Sequence, residues 1–158
     1  MTSFTLTKRI DAPRETVFRL ASDFRNAADH IQGITKVEML TDGPVAQGTR
    51  FQETRIVFKR EATEEMTVSA YDPPSGYALD CESCGCHYHT EFRFTANGSG
   101  TDVEMRFDVK PLTFFAKVMG FLMRPMMKMC LKETGKDLDD LKAVAEGGTE
   151  SGATATAS

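Results

Sequence analysis

The sequence predicts an α+β fold in which a seven-stranded antiparallel sheet curls around one long C-terminal helix. Three observations lead to this prediction. Segments that alternate apolar and polar residues follow one another with short turns between them, which favours antiparallel pairing. Two short helical patterns come after the first of these segments, and a much longer helical pattern comes after the last. A sheet needs a second layer over its apolar face, and the long amphipathic helix is the natural candidate.

The first strand and the two short helices are predicted near the N-terminus. Residues 4–10 alternate apolar with polar side chains, as a half-buried strand does. Asp11 is then expected to cap a helix in which Pro13 occupies the first turn. A second short helix is predicted near residues 24–31.

Six further strands and the long helix complete the order. The strands are predicted from their alternation and from the turn residues between them, at residues 34–40, 49–58, 64–71, 77–82, 87–95 and 102–109. The helix is predicted from Pro111 to about Glu146, with a bend at Pro125. Residues 147–158 are small and polar, so we expect a disordered tail behind a single domain of residues 1–146.

Composition excludes several classes of protein. The formal net charge is -4, so composition forces no basic surface and we expect no nucleic-acid partner. The sequence starts without an apolar signal segment and contains no apolar stretch long enough to span a bilayer. We therefore expect a cytoplasmic protein whose four cysteines are thiols or metal thiolates.

Several short motifs, taken in order, resemble those of the START/Bet v1-like (SRPBCC) superfamily, in its polyketide cyclase/dehydrase-like branch of small bacterial proteins. The motifs are "IDAPRETVF" (Ile10–Phe18) with Asp23 and Phe24, "DGPVAQGTRF" (Asp42–Phe51), "YDPP" (Tyr71–Pro74), "FRF…GSGTDV" and "DLDDLKAVAE" (Asp137–Glu146). The resemblance covers roughly residues 3–146. It implies a helix-grip fold with an apolar cavity between sheet and helix. Members bind lipids, sterols, quinones, polyketides or plant hormones, and some cyclise or dehydrate polyketides.

The favoured function is the binding, and possible transport, of a hydrophobic small molecule in that cavity, without a cofactor. Five methionines lie within eleven residues of the long helix, and methionine adapts to varied apolar ligands. The same pattern is typical of an ordinary core. The predicted cavity walls are Phe51, Met66, Tyr88, Phe92, Met105, Phe107, Phe115, Met119, Leu122 and Met126. Many relatives have Trp at the position matching Phe51, so this substitution changes the expected pocket shape.

The alternative function is a polyketide cyclase or dehydratase. If Phe51 points inward, Glu53 and Arg55 share its face of the strand and enter the cavity. Glu53 would then act as general base and Arg55 would hold an enolate or carboxylate, with Tyr88 as a third polar group. Both faces of this strand mix apolar and polar residues, so an ion pair at the rim or outside is the competing interpretation.

A basic stripe on the long helix suggests two further partners. Anionic lipid is one, through a peripheral surface of Phe114, Lys117, Phe121, Arg124 and Lys128. A solvated face whose long stems cover apolar surface explains the same pattern. The Met-rich helix would also suit a protein-interaction module, and we expect a monomer or a weak homodimer.

The stretch "CESCGCHYH" (Cys81–His89) carries three cysteines and two histidines. Strand parity places Cys81 and Tyr88 toward the core and His87 and His89 toward solvent. Zinc needs four converging ligands, and the second ligand pair of standard zinc modules is absent. The interpretations left open are a plain hairpin, a thiol pair of Cys84 and Cys86, and a metal site of Cys84, Cys86, His87 or His89; we expect no metal.

Overall fold

A computed structural model of the chain describes residues 2–57, 59–83, 85–122, 132 and 135–147. Within these residues, seven strands form one antiparallel sheet in the order β1-β7-β6-β5-β4-β3-β2. The strands are β1 (Thr2–Ile10), β2 (Ile34–Met39), β3 (Arg50–Val57), β4 (Arg60–Asp72), β5 (Gly76–Ser83), β6 (Cys86–Asn97) and β7 (Gly100–Pro111). The predicted α+β fold with a seven-stranded antiparallel sheet is confirmed.

The helices lie between β1 and β2 and after β7. They are α1 (Arg14–Ala21), a 3-10 turn (Phe24–Asn26), α2 (Ala27–His30) and α3 (Phe114–Leu122). Residues 135–147 are also helical and are called the C-terminal helical segment here. The predicted bend at Pro125 and residues 148–158 of the predicted tail lie outside the described residues, whereas Gly147, the first residue of that tail, is helical.

The start of α1 differs from the prediction. Pro13 is the residue before the helix, and no side chain caps the N-terminus of α1 with a hydrogen bond. Asp11 instead accepts a hydrogen bond from Arg9 Nε at 3.2 Å, and its N–H donates to Glu146 Oε1 at 2.9 Å. Asp11 thus links the end of β1 to the C-terminal helical segment rather than capping α1.

The core lies between the sheet, α1 and the C-terminal helical segment. Phe18 of α1 packs against the rings of Tyr71, Tyr77 and Phe94, with centroids 5.4–6.0 Å apart. Leu138 and the other buried residues of the C-terminal helical segment join the same cluster. The face of the sheet that carries these residues is called the inner face.

The C-terminal helical segment is fixed to both sides of the sheet. On the β2 side, Asp140 Oδ2 accepts a hydrogen bond from the N–H of Gln32, just before β2, at 3.0 Å. On the β1 side, Lys142 Nζ donates to the carbonyl of Arg9 at 3.2 Å, and Lys8 pairs with Asp139. Because β1 and β2 are the two edge strands, the segment crosses the inner face from one edge to the other.

Replacing Phe94 with Ala is expected to lower the free energy of unfolding by about 3–5 kcal/mol, since it empties space in a packed core. Phe94 is 2% exposed. Phe114→Ala is the matched control, because Phe114 is 81% exposed and its loss should change stability by less than about 0.5 kcal/mol. Urea unfolding followed by circular dichroism measures both; equal losses would contradict the placement of the two rings.

Candidate functional site

A cavity of about 470 Å³ lies between the inner face of the sheet, the two short helices and the C-terminal helical segment. Its wall is mostly apolar. The sheet contributes Leu79 and Phe92, and the short helices contribute Leu20 and Phe24. Leu138 and Leu141 close it from the C-terminal helical segment. The cavity therefore combines an apolar interior with a size that suits a small organic molecule.

The structure brings half of the predicted wall residues to this cavity. These are Met66, Tyr88, Phe92, Met105 and Phe107. Met119 is half-buried but does not line the cavity. The side chain of Leu122 and the whole of Met126 lie outside the described residues. That the lining residues bind a ligand remains a prediction.

Phe51 was wrongly predicted to line the cavity. Its ring is fully buried and stacks on Phe24, with the centroids 4.8 Å apart. Phe24 lines the cavity and Phe51 does not. Phe51 points inward, as the cyclase or dehydratase hypothesis requires. Phe24 of the 3-10 turn, however, supplies the surface that a ligand would contact.

Phe115 was also wrongly predicted to line the cavity, since it is 73% exposed. The reason lies at the start of α3. Thr113 Oγ1 accepts a hydrogen bond from the N–H of Ala116 at 3.1 Å, and Ala116 is buried beside Gly85 at the tip of the β5–β6 hairpin. The small Ala116 thus faces the sheet, and Phe115, one residue earlier, is rotated outward. The helix begins at Phe114 instead of Pro111, which ends β7.

Glu53 and Arg55 line the cavity, so the question left open by the sequence is answered in favour of the inner face. Glu53 is 9% exposed. Arg55 Nε donates to Glu53 Oε1 at 2.8 Å, and Arg55 Nη1 donates to Asp137 Oδ2 at 2.8 Å. The predicted ion pair exists, but it lies inside the cavity and includes a second carboxylate.

Asp137 was not predicted as a site residue. It belongs to the C-terminal helical segment and also lines the cavity. Its partner Arg55 is 82 residues earlier in the chain, and no local spacing relates the two. The available signal was the run "DLDDL", in which Asp137 precedes the buried Leu138 and shares the inward side of the helix with Leu141.

Glu64 extends the polar part of the wall. It lies directly opposite Glu53 in the β3–β4 pairing, and both line the cavity. Ser83 Oγ donates to Glu64 Oε1 at 2.8 Å, and Cys81 Sγ lies 3.8 Å from Glu64 Oε2. We call Glu53, Arg55, Glu64, Ser83 and Asp137 the polar end of the cavity.

Burial and charge shift the pKa values of groups in this region. Burial raises the pKa of Asp137, and the neighbouring Glu53 adds to this, while Arg55 opposes it without reversing it. Burial by itself would lower the pKa of Arg55, but the charges of Glu53 and Asp137 outweigh it and the pKa is raised. Burial, then the charges of the same two carboxylates, raises the pKa of Tyr77.

The cysteine- and histidine-rich hairpin divides between the two faces of the sheet as strand parity predicted. Cys81 and Tyr88 are register partners and line the cavity. Burial and the charge of Glu64 raise the pKa of the Cys81 thiol to about 11, so it is neutral at physiological pH. His87 and His89 do not line the cavity; both contact Asp80 instead.

Cys84 lies outside the described residues, so the predicted thiol pair stays untested. Cys86 is the first residue of β6 and pairs with Ser83 of β5. In the described part of the chain, no three His, Cys, Asp or Glu side chains are arranged to hold a metal ion. Among the described helices, none is long and apolar enough to cross a membrane.

Comparison with solved structures identifies proteins of similar fold. A protein from Thermus thermophilus has a TM-score of 0.73 and 18% identity, covering 93% of this chain and 99% of that chain. The Zhui aromatase/cyclase from Streptomyces sp. R1128 has a TM-score of 0.73 and 20% identity, covering 92% of this chain and 93% of that chain. A START superfamily protein from Mycobacterium smegmatis has a TM-score of 0.71 and 17% identity, covering 92% of this chain and 97% of that chain.

Comparison by sequence gives the family. No curated protein sequence matches the chain significantly. The family described as "Polyketide cyclase / dehydrase and lipid transport" matches residues 1–146, which is almost the whole chain. Since the match includes every described strand and the inward-facing residues of the C-terminal helical segment, this chain belongs to the polyketide cyclase/dehydrase and lipid transport family.

Proposed function

We propose that the protein binds a hydrophobic small molecule, such as a lipid, a quinone or a polyketide, in the cavity between sheet and helices. The observation that carries the proposal is the cavity of about 470 Å³ with its mostly apolar wall. Binding sites for small molecules typically have volumes of about 300–1,000 Å³ and apolar linings with few polar groups. The family and the aromatase/cyclase neighbour support the same class of ligand.

Burial of apolar surface would supply the affinity. Each Å² removed from water contributes about 25 cal/mol before the costs of association and ordering. Phe92 and Phe107 offer flat aromatic surfaces, while Met66 and Met105 offer flexible ones. A wall that combines rigid rings with adaptable thioethers suits ring systems of more than one shape.

A second candidate function is a cyclase or dehydratase, and one observation favours it: Glu53 and Arg55 face the cavity. Glu53 would take a proton from the carbon beside a ligand carbonyl, and Arg55 would stabilise the enolate. Arg55 uses Nε, Nη1 and Nη2 for its two carboxylate partners. A guanidinium has five N–H groups, so its geometry leaves donors for an enolate oxygen. Tyr88 also lines the cavity and is the remaining candidate polar group.

Contact with an anionic membrane surface is proposed for α3. Phe114 and Phe115 are exposed, with Leu112 and Val118 beside them in sequence, also exposed. Lys117 is exposed as well, and the chain has no Asp or Glu from Lys110 to Lys132. Exposed apolar side chains flanked by cations alone are typical of a surface that inserts into anionic lipid. The side chain of Phe121, and Arg124 and Lys128, lie outside the described residues.

Ligand binding is tested with N-phenyl-1-naphthylamine, a neutral apolar fluorophore. We expect micromolar binding by the unmodified protein. Ala62→Phe should weaken binding at least about tenfold, because Ala62 lines the cavity and the added ring occupies it.

The matched control is Thr63→Phe, which places the same ring on the exposed face of the same strand. It should leave the affinity unchanged, and thermal unfolding confirms that both variants are folded. Fluorescence titration of a folded protein that shows no binding, or equal affinity in the two variants, would refute binding in the cavity.

Enolisation is tested with 2-decanone in D₂O. If the protein is an enzyme of this class, it should accelerate exchange of the protons beside the carbonyl, followed by ¹H NMR. Glu53→Gln should reduce that acceleration by about 10²-fold or more, which is the usual contribution of a general base. Glu38→Gln, an exposed carboxylate on β2, should leave it unchanged. Exchange at the buffer rate with the unmodified protein would remove the enzyme candidate.

Membrane contact is tested by vesicle flotation. More protein should float with vesicles of phosphatidylcholine and phosphatidylglycerol than with phosphatidylcholine alone, and added salt should reduce the difference. Phe114→Ser should lower the bound fraction several-fold. Leu40→Ser replaces an exposed apolar residue just after β2 and should have no effect. Equal flotation with both kinds of vesicle contradicts the proposal.

A further inference from the structure

Negative charge exceeds positive charge among the described residues that line the cavity. Three carboxylates, Glu53, Glu64 and Asp137, face one guanidinium, that of Arg55. His30 is the remaining basic side chain of the described lining. Even with His30 protonated, the carboxylates outnumber the cations. A cavity with a mostly apolar wall thus has a polar end that is anionic when its acids are ionised.

The sheet register brings two of these carboxylates together. Glu53 and Glu64 are direct partners across the β3–β4 pair, and like charges in such a pair destabilise a sheet. Arg55 is two residues from Glu53 on the same face and bonds to it, and Arg55 is also shared with Asp137. The hydrogen bonds of Glu64 come instead from the neutral Ser83 and, at longer range, from Cys81. Within the described part of the chain, Glu64 therefore has neutral donors where Glu53 has a guanidinium.

Three neighbouring groups respond to this negative charge. Burial is the largest effect that raises the pKa of Asp137. The charge of Glu53 raises this pKa further, whereas Arg55 opposes the increase. Burial is the largest cause that raises the pKa of Tyr77 and of Cys81; the charges of Glu53 and Asp137 add to it for Tyr77, and the charge of Glu64 adds to it for Cys81. Tyr77 and Cys81 lie on β5 and Asp137 lies on the C-terminal helical segment, so the carboxylates affect groups on two of the elements that line the cavity.

We infer that the cavity selects an apolar molecule that carries one protonated amine, and that it disfavours molecules of the same size that carry a carboxylate. The inference rests on the proposed function, because the site is the cavity itself and the carboxylates determine only which end group it accepts. An ammonium beside Glu64 would supply a counter-charge and could donate to the carboxylate oxygens. A ligand carboxylate at the same place would add a buried like charge.

Geometry determines how such a molecule would lie. The apolar part would fill the space between Phe92, Phe107 and Leu141, which are apolar residues of the described lining. The amine would lie against Glu53 and Glu64. Moving an ammonium out of water is costly unless charged partners compensate, and here two carboxylates on adjacent strands would provide that compensation.

The experiment uses three probes with the same chain length: decylammonium, 1-decanol and decanoate. Each displaces N-phenyl-1-naphthylamine from the full-length protein at neutral pH, where an alkyl amine is protonated as a lysine side chain is. We expect decylammonium to bind at least tenfold more tightly than decanol, and decanoate to bind at least tenfold more weakly than decanol.

Two variants assign the preference to the polar end. Glu64→Gln should reduce the preference for decylammonium over decanol at least fivefold, because it removes a charge that attracts the ammonium and not the neutral hydroxyl. Glu61→Gln is the control: it makes the same change on the same strand, on the exposed face. An unchanged preference in Glu64→Gln would overturn the assignment.

The outcomes separate this inference from the proposed function. If the fluorophore binds but decanoate competes as well as decylammonium, the inference is wrong and binding of apolar molecules stands. If the fluorophore binds and none of the three probes displaces it, the inference is equally overturned. If the fluorophore itself does not bind to folded protein, the proposed function fails and the inference fails with it.

Discussion

The ion pairs of Arg55 with Glu53 and Asp137 join the sheet to the C-terminal helical segment across the cavity. Arg55 and Glu53 are on β3, next to the edge strand, and Asp137 is on the helix that crosses the inner face. Removing Arg55 would leave two partly buried carboxylates without their counter-charge, which costs far more than the intact group contributes. The Arg55–Asp137 pair thus holds the C-terminal helical segment to β3 at this end of the cavity.

The same group explains why the interior stays open at this end. An apolar sheet and helix would approach until their side chains interlock, as they do around Phe18 and Phe94. Carboxylates cannot be closed into such a core without further partners, because each oxygen needs a donor. Glu64, bonded to Ser83, keeps polar groups on the wall where β3, β4 and β5 meet. The molecule thus has a tightly packed half and an open half on one continuous sheet.

Alternation along the strands predicted much of the fold and part of the site. It placed Tyr88 and Phe92 inward and His87 and His89 away from the cavity, because parity on a single strand needs no knowledge of other elements. Alternation did not decide which face of β3 points inward, because Phe51 and Ile56 put apolar residues on both of its faces. The prediction that Phe115 of the long helix faces the cavity was wrong for a different reason. The small side chain of Ala116 beside Gly85 sets its rotation, and that contact depends on a hairpin far away in the sequence. Asp137 was missed because its partner is brought close only by the fold.

The proposed membrane contact of α3 and the proposed binding of a protonated amine are electrostatically compatible. The chain has a net charge of -4, yet the stretch from Lys110 to Lys132 contains only basic charged residues. A basic stretch of sequence favours anionic bilayers, and anionic bilayers concentrate amphiphilic cations from solution. A molecule that combines an apolar body with an ammonium would therefore accumulate at the surface to which α3 is proposed to dock. Gly85 and the first turn of α3 pack together, and Ser83 at the polar end lies just two residues before Gly85. Membrane docking and recognition of the amine would thus occur at neighbouring parts of the same hairpin. The amine would leave the anionic lipid surface and pair with Glu64 in the cavity.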